Sequence, residues 1–327
     1  MHLVTGGTGR LGVLVAERIA ARTAGTVVLV SRSEPGPDAA AAMVRAAADG
    51  GRIVHLRADV SRRAEVDAVV RETRRRFGAL NGVVHAAGVL RDGFVLRTTR
   101  ADADAVLGPK VLGALWLDEA TRDEPLAYFC AFSSLAAVLG GVGQSSYAYA
   151  NAFLGAFLTA RDAARHGGLR AGRSLAVDWP LWRDGGMTAD AAAVAALREG
   201  LGMVPLQSTA ALDAWERALA AGAPRVLVAQ GDQDAVARAL PGGDPGAAPA
   251  APAGAAVPAA TAAPAGTSAV VPEPAAGSGA GRPPRVRTSA RAPRSTSSAC
   301  WRRNCGCPPT RWTSTSPSSG TASTRCW

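Results

Sequence analysis

His2-Leu3-Val4-Thr5-Gly6-Gly7-Thr8-Gly9-Arg10-Leu11-Gly12 opens the chain with a short apolar run that passes at once into a glycine turn. Leu11, Leu14, Val15 and Ile19 then recur at helical spacing, so the turn joins a strand to a helix. That is the setting a dinucleotide fingerprint requires. Glycines at 6, 9 and 12 let backbone close tightly on a pyrophosphate at the N-terminus of the helix. Glycine turns of this sort also occur with no ligand, and the neighbouring elements decide between the two.

Thr26-Val27-Val28-Leu29-Val30 has the composition of a buried parallel strand and ends in Ser31-Arg32. A cation there suits the 2′-phosphate of NADP, where an acidic residue would suit a free ribose; the alternative is one more surface arginine. Val54-His55-Leu56-Arg57-Ala58 leads to Asp59-Val60, a strand end from which a carboxylate reaches toward an adenine amino group. Val66, Val69, Val70, Thr73 and Phe77 mark an amphipathic helix. Gly82-Val83-Val84-His85 forms a fourth strand, and Ala86-Ala87-Gly88 after it are small enough for close backbone approach to a cofactor. His85 reads as a packed strand-end residue rather than a base. Strands and helices alternating at this rhythm predict an α/β fold with a parallel, doubly wound sheet. The candidate cofactor contacts are Gly6, Gly7, Thr8, Gly9, Arg10, Leu11, Gly12, Ser31, Arg32, Asp59, Val60, Ala86, Ala87 and Gly88.

A second constellation follows. Tyr147 and Asn151 stand four apart in a helical run and face the same way. Ser134 ends the strand-like Tyr128-Phe129-Cys130-Ala131-Phe132 run. Lys110 is the one lysine among 36 lysines and arginines. Arginine holds its proton too tightly and spreads its charge, whereas lysine is a compact ammonium able to tune a neighbouring phenol. Beside a nicotinamide, Tyr147 would protonate a carbonyl oxygen as hydride arrives, provided the ammonium draws its pKa down from about 10. Ser134 would donate a hydrogen bond to the same oxygen, and Asn151 would hold a water linking Lys110 to solvent.

Further on, Ser174-Leu175-Ala176-Val177-Asp178-Trp179 is a strand stopped by Pro180. The alanine-rich stretch from Arg183 to Gly202 fits either a mobile lid over a substrate or an ordinary surface helix. Leu212, Trp215, Ala218 and Leu219 pack a last helix, and Arg225-Val226-Leu227-Val228-Ala229 closes the sheet. Globular character is expected to end near Leu240.

Charge is unevenly placed. The formal net charge is +10, of which nine arginines against Glu273 alone put +8 in residues 246–327. The basic excess therefore belongs to the tail and does not argue for nucleic-acid binding. No apolar run is long enough to span a bilayer, no leader is apparent, and Cys130 stands alone among the first 240 residues. The body reads as reduced and cytoplasmic, with neither nucleic-acid nor membrane partners. Residues 241–290 are rich in alanine, proline and glycine and read as a disordered linker. Residues 291–327 read as an unstructured tail. Cys305-Gly306-Cys307 lacks a histidine or second pair to make a metal site, so no metal is expected.

Residues 1–240 resemble the short-chain dehydrogenase/reductase superfamily, and within it the ketoreductase domain of modular type I polyketide synthases. The resemblance rests on the opening stretch, on His85-Ala86-Ala87-Gly88, on Phe132-Ser133-Ser134, on Asp178-Trp179-Pro180-Leu181-Trp182, and on the order Lys110, Ser134, Tyr147, Asn151. It implies a Rossmann-like fold with those four as the catalytic residues. It also implies NADPH-dependent reduction of a β-ketoacyl thioester on the phosphopantetheine arm of an acyl carrier protein, among the other domains of a synthase. Leu90-Arg91-Asp92 keeps the ends of a Leu-Asp-Asp motif carried by B-type members, and Leu139 stands where A-type members have tryptophan. Leu90 and Asp92 are thus expected to set a D-configured hydroxyl.

Family members carry a structural Rossmann half before the catalytic one. This chain begins at the first catalytic strand, so that half is expected as a separate partner or upstream of a misplaced start, leaving an apolar face uncovered. Read one base earlier, the Cys and Trp codons of residues 300–327 encode apolar positions. The tail can then be written as an out-of-frame acyl carrier protein. A freestanding reductase of a diffusible carbonyl and an inactive fragment with a docking role are the competing readings.

Overall fold

A computed structural model describes residues 1–185, 191–240 and 324–326. The chain alternates strand and helix from its first residues: β1 (His2–Thr5), α1 (Arg10–Thr23), β2 (Thr26–Ser31), α2 (Pro37–Ala48), β3 (Arg52–Arg57), α3 (Arg63–Phe77) and β4 (Gly82–His85). Then come α4 (Arg100–Leu107), a π-helical turn (Gly108–Leu112), α5 (Gly113–Ala120) and β5 (Tyr128–Ser134). The short α6 (Ala136–Leu139), the long α7 (Ser145–His166) and β6 (Arg173–Trp179) follow. The last elements are α8 (Ala191–Leu201), α9 (Ser208–Ala221), β7 (Arg225–Gln230), α10 (Gln233–Ala239) and β8 (Thr324–Cys326).

The strands lie in the order β3-β2-β1-β4-β5-β6-β7-β8, with seven parallel strands and an antiparallel β8 beside β7. Winding runs outward from β1 through β2 and β3, then restarts on the other side with β4. The loops after β1 and β4 therefore part from each other and open a crevice at the carboxyl ends of the strands, where such sheets take their ligands. This is the Rossmann-like doubly wound sheet expected.

Alternation along each strand divides the core in two. Val4, Val27, Leu29, Cys130 and Phe132 face one layer, with Val15 and Ile19 of α1 and Leu212 and Trp215 of α9. Leu3, Val28, Val30, Phe129 and Ala131 face the other, with Val66 and Val70 of α3, Leu117 of α5, and Leu154 and Leu158 of α7. The stretch expected as lid or surface helix forms α8, which has no fully buried residue but lays Leu197 and Leu201 against Leu135, Met203 and Val236. Residues 186–190, the linker and most of the tail lie outside the described residues, as do Cys305 and Cys307. Near the end of the chain, β8 pairs Thr324, Arg325 and Cys326 with Gln230, Ala229 and Val228. Among the described residues no helix is long and apolar enough to cross a membrane.

At the amino ends of the strands, α5, α7 and the loop before β6 meet through charge. Arg161, with 2% of its side chain exposed, donates from Nε to Asp118 Oδ1 at 2.7 Å. Its other nitrogens reach Ala171 O, Gly172 O and Ser174 Oγ, and Arg170 Nε binds the same Asp118 carboxylate. Removing one partner strands a buried charge, which is far more costly than losing an exposed pair. Asp118→Ala is therefore expected to lower unfolding free energy by roughly 3 kcal/mol, read as a fall in the urea midpoint at unchanged slope. A shift below about 1 kcal/mol would mean that solvent reaches Arg161.

Candidate active site

At the switch point a cavity of about 620 Å³ opens above the sheet. Its floor is the glycine turn. Gly6 sits at φ +65°, and a Cβ there would come within 2.8 Å of Ala86 O; at Gly12 a Cβ would overlap the Gly6 carbonyl. Gly6 lets the loops after β1 and β4 approach, and Gly12 lets the first turn of α1 sit directly on the glycine turn, where any side chain would hold them apart. Among the described residues no side chain caps the amino end of α1, and its first turn carries no acidic residue. The leading N–H groups and the positive end of the helix dipole thus face the cavity, as an anion requires.

Thr8, Gly9, Arg10, Leu11, Ser31, Arg32, Asp59, Val60, Ala86, Ala87 and Gly88 line the same space with Gly6 and Gly12. Arg32 makes no hydrogen bond or ion pair with any described residue and is exposed at the end of β2. Ser31 Oγ donates to Ser33 O at 2.7 Å and meets His55 Nε2 at 2.9 Å. Asp59 Oδ1 accepts from the backbone N and Oγ of Ser61, which orients the carboxylate. Gly7 differs from its expected role: a Cβ there would strike Val4 O and Leu29, so this glycine serves the packing of the turn onto β1 and β2 and stands outside the cavity wall. His85 is fully buried, with Nδ1 2.7 Å from Thr5 Oγ1, and burial pushes its pKa down to about 3, leaving it a neutral packing residue.

Lys110, Ser134 and Tyr147 stand in the other wall. Lys110 is positioned by an irregularity that sequence periodicity does not announce. Pro109 has no N–H to give the helix, and Gly113 N donates five residues back to Gly108 O, widening the turn. From this turn Lys110 Nζ donates to Phe132 O at 2.9 Å and lies 5.8 Å from the centre of the Tyr147 ring. Gly88 makes room for it, since a Cβ would meet Lys110 Cε at 2.8 Å. Burial lowers the ammonium pKa to about 8. Ser134 Oγ accepts from Ala136 N at 3.2 Å, and its hydroxyl lies within hydrogen-bond reach of the Tyr147 phenol.

For Tyr147 the direction differs from expectation. Burial holds the phenol above its ordinary pKa, outweighing the Ser134 and Asn151 side chains that favour ionisation, and the Asp92 carboxylate acts with the burial. Asn151 lies behind the wall rather than in it. It is fully buried, Nδ2 donates to Tyr147 O at 2.8 Å, and Oδ1 has no partner among the described residues.

Leu90 lines the rim, whereas Asp92 stands back from the cavity and accepts from Gln144 Nε2 at 2.9 Å. Gly93 N donates to Gly143 O, so the segment after β4 is tied to the loop that launches α7. Gln144 and Pro109 reach the cavity without having been anticipated; a contact set by two loops leaves no periodic mark in sequence. Phe132, Trp179 and Trp182 close one side, the two indoles packed edge to face with ring centres 5.0 Å apart. Among the described residues no group of side chains is placed to hold a metal ion.

The arrangement offers a phenol, a hydroxyl and an ammonium beside an anion-binding helix end, a set suited to hydride transfer to a carbonyl. Comparison with known proteins agrees. The family model described as the KR domain matches residues 1–184. The chain is 44% identical over 238 residues to the polyketide synthase ThaG of Burkholderia thailandensis, covering 72% of this chain and 4% of that protein. It is 38% identical to the polyketide synthase PksL of Bacillus subtilis over 72% of this chain and 5% of that one. The chain thus spans a small part of these relatives.

Among solved structures, a ketoreductase domain from the bacillaene assembly line superposes with a TM-score of 0.71 at 36% identity, over 73% of this chain and 58% of that one. A short-chain dehydrogenase of Burkholderia cenocepacia, solved in complex with NADP, superposes with a TM-score of 0.59 at 25% identity, over 68% and 90% of the two chains. Fold, site and similarity converge: the chain belongs to the KR-domain family, the ketoreductase domains of polyketide synthases within the short-chain dehydrogenase/reductase fold.

Proposed function

We propose that the chain reduces a β-ketoacyl thioester, carried on the phosphopantetheine arm of an acyl carrier protein, to the β-hydroxyacyl form with NADPH. The observation that carries this reading is that Lys110, Ser134 and Tyr147 share one cavity with the uncapped, glycine-floored end of α1. The α1 N–H groups would hold the pyrophosphate, Arg32 the 2′-phosphate, and Asp59 and Val60 the adenine. Ala86, Ala87 and Gly88 give the nicotinamide half its close approach. When bound, NADPH supplies the hydride.

The protein's own groups handle the oxygen. Tyr147 Oη donates the proton, and its raised pKa keeps that proton in place at neutral pH until charge develops on the substrate. Ser134 Oγ donates to the same oxygen and stabilises it as the negative charge grows. The Lys110 ammonium, buried beside the ring, offsets the phenolate left behind. Asn151 Oδ1 is the free acceptor that a water relay from Lys110 to solvent needs. Leu90 at the rim, with Asp92 holding Gln144, favours the B-type approach and a D-configured hydroxyl. The carrier protein, the structural half and other synthase domains are its partners on this reading.

Tyr147→Phe is expected to lower kcat/KM for a β-ketoacyl thioester mimic by about 10²- to 10⁴-fold, with NADPH affinity within about twofold of the unaltered chain. An equal loss in affinity would remove the tyrosine from the chemistry. An L-configured product would overturn the stereochemical assignment.

A second expectation concerns Lys110 and pH. Its folded pKa of about 8 lies below the ordinary 10.5, so between these values the unfolded chain binds more protons and stability rises with pH. Lys110→Met should remove this part of the rise, seen by comparing urea midpoints of both proteins at about pH 7.5 and about pH 9.5. Reduction by the unaltered chain should fall above about pH 8 as the ammonium is lost. Identical pH slopes for the two proteins would show that the lysine is not buried as a charge.

A further inference from the structure

Arg10 occupies the first position of α1, where it lines the cavity. Its Nε donates to Asp184 O at 3.2 Å, and its Nη1 pairs with Asp38 Oδ2 at 3.1 Å. Asp38 stands in the first turn of α2, on the β2 side of the glycine turn. Asp184 follows β6 on the other side and is itself fixed by Ser208, whose Oγ donates to Asp184 Oδ2 at 3.0 Å. One guanidinium therefore reaches across the amino end of α1, from the segment after β2 to the segment after β6.

The Asp38 half of this bridge is weakly held. The Arg10 side chain is 43% exposed and that of Asp38 73%, so solvent screens their pair and it is easily exchanged. A phosphate oxygen at the α1 terminus would offer the same guanidinium a charge-assisted bond with a helix dipole behind it. Two anions thus compete for one cation, and the mobile one has the better site. The geometry points to Arg10 as a ligand of the dinucleotide pyrophosphate, one that leaves Asp38 when the dinucleotide binds. Asp38 then acts as an internal competitor that weakens cofactor affinity in the free protein. The Asp184 carbonyl keeps the arginine over the site during the exchange.

This inference rests on the dinucleotide reading above, and it separates two arginines by what they contact. Pyrophosphate is common to NADH and NADPH, so Arg10 serves both ligands alike. Arg32, at the end of β2, serves only the one with a 2′-phosphate.

The test is equilibrium dialysis of NADPH and of NADH against the full chain and its variants. Arg10→Ala is expected to weaken both ligands by about tenfold and leave their affinity ratio unchanged. Asp38→Asn should tighten both by about two- to threefold, a gain that a damaged fold would not produce. The double variant should bind no better than Arg10→Ala alone. Arg32→Ala should weaken NADPH only. Unchanged affinity in Arg10→Ala, or no tightening in Asp38→Asn, would overturn the exchange while leaving the dinucleotide reading in place. An Arg10→Ala loss confined to NADPH would move Arg10 to the 2′-phosphate and overturn it likewise. Failure of the unaltered chain to bind either ligand would overturn the cofactor reading and this inference together.

Discussion

The active side of the molecule depends on a single buried hydrogen bond, from Lys110 Nζ to the carbonyl of Phe132. An ammonium removed from water is tolerated only where a polar group meets it. Here the acceptor is a backbone carbonyl of β5, two residues before Ser134. The bond therefore couples the widened turn ahead of α5 to the strand that delivers the serine. Two glycines make the close packing around it possible. Gly88 leaves room for the lysine stem, and Gly113 lets α5 settle onto His85, where a Cβ would meet the ring at 2.9 Å. The neutral state of His85 follows from its burial, with the Lys110 ammonium acting in the same direction.

Strand-by-strand, the fold was legible because its code is local. Residues 26–30 are almost wholly apolar and residues 174–179 largely so, and Gly25 and Pro180 punctuate them. That the sheet is parallel and doubly wound follows from alternation and handedness; the order in which its strands lie does not. Less legible were the elements whose form depends on distant partners. Nothing in Gly108-Pro109-Lys110-Val111-Leu112 distinguishes a π-helical turn from an ordinary helix end until β5 is in place to receive the lysine. The four-residue α6, the contact between Asp92 and Gln144, and the inward packing of Gly7 belong to the same class. Each is decided by which loops meet, a long-range outcome with no periodic trace.

The expectation for Tyr147 failed for a related reason. A cation nearby lowers a phenol pKa while desolvation raises it, and which of the two wins depends on burial, which cannot be judged from residue spacing. In the folded chain desolvation outweighs the neighbouring hydroxyl and amide. A tyrosine that keeps its proton is a competent acid toward a carbonyl oxygen becoming negative, so the altered direction agrees with the proposed chemistry. The arginine cluster around Asp118 plays the complementary part at the opposite ends of the strands. There charge is buried for rigidity, with every guanidinium nitrogen of Arg161 engaged.

The indoles of Trp179 and Trp182 lie at most 4% exposed, packed against Phe132 and against each other, and both border the cavity. Neither Nε1 has a hydrogen-bond partner among the described residues. Indoles so shielded emit at the blue end of their range, and their emission overlaps the absorption band of a reduced nicotinamide. Excitation energy can pass from the pair to such a ring lying in the same cavity. The protein thus contains an intrinsic fluorescent donor at the place where its chemistry would occur, and occupancy of the cavity becomes an optical signal without any added label.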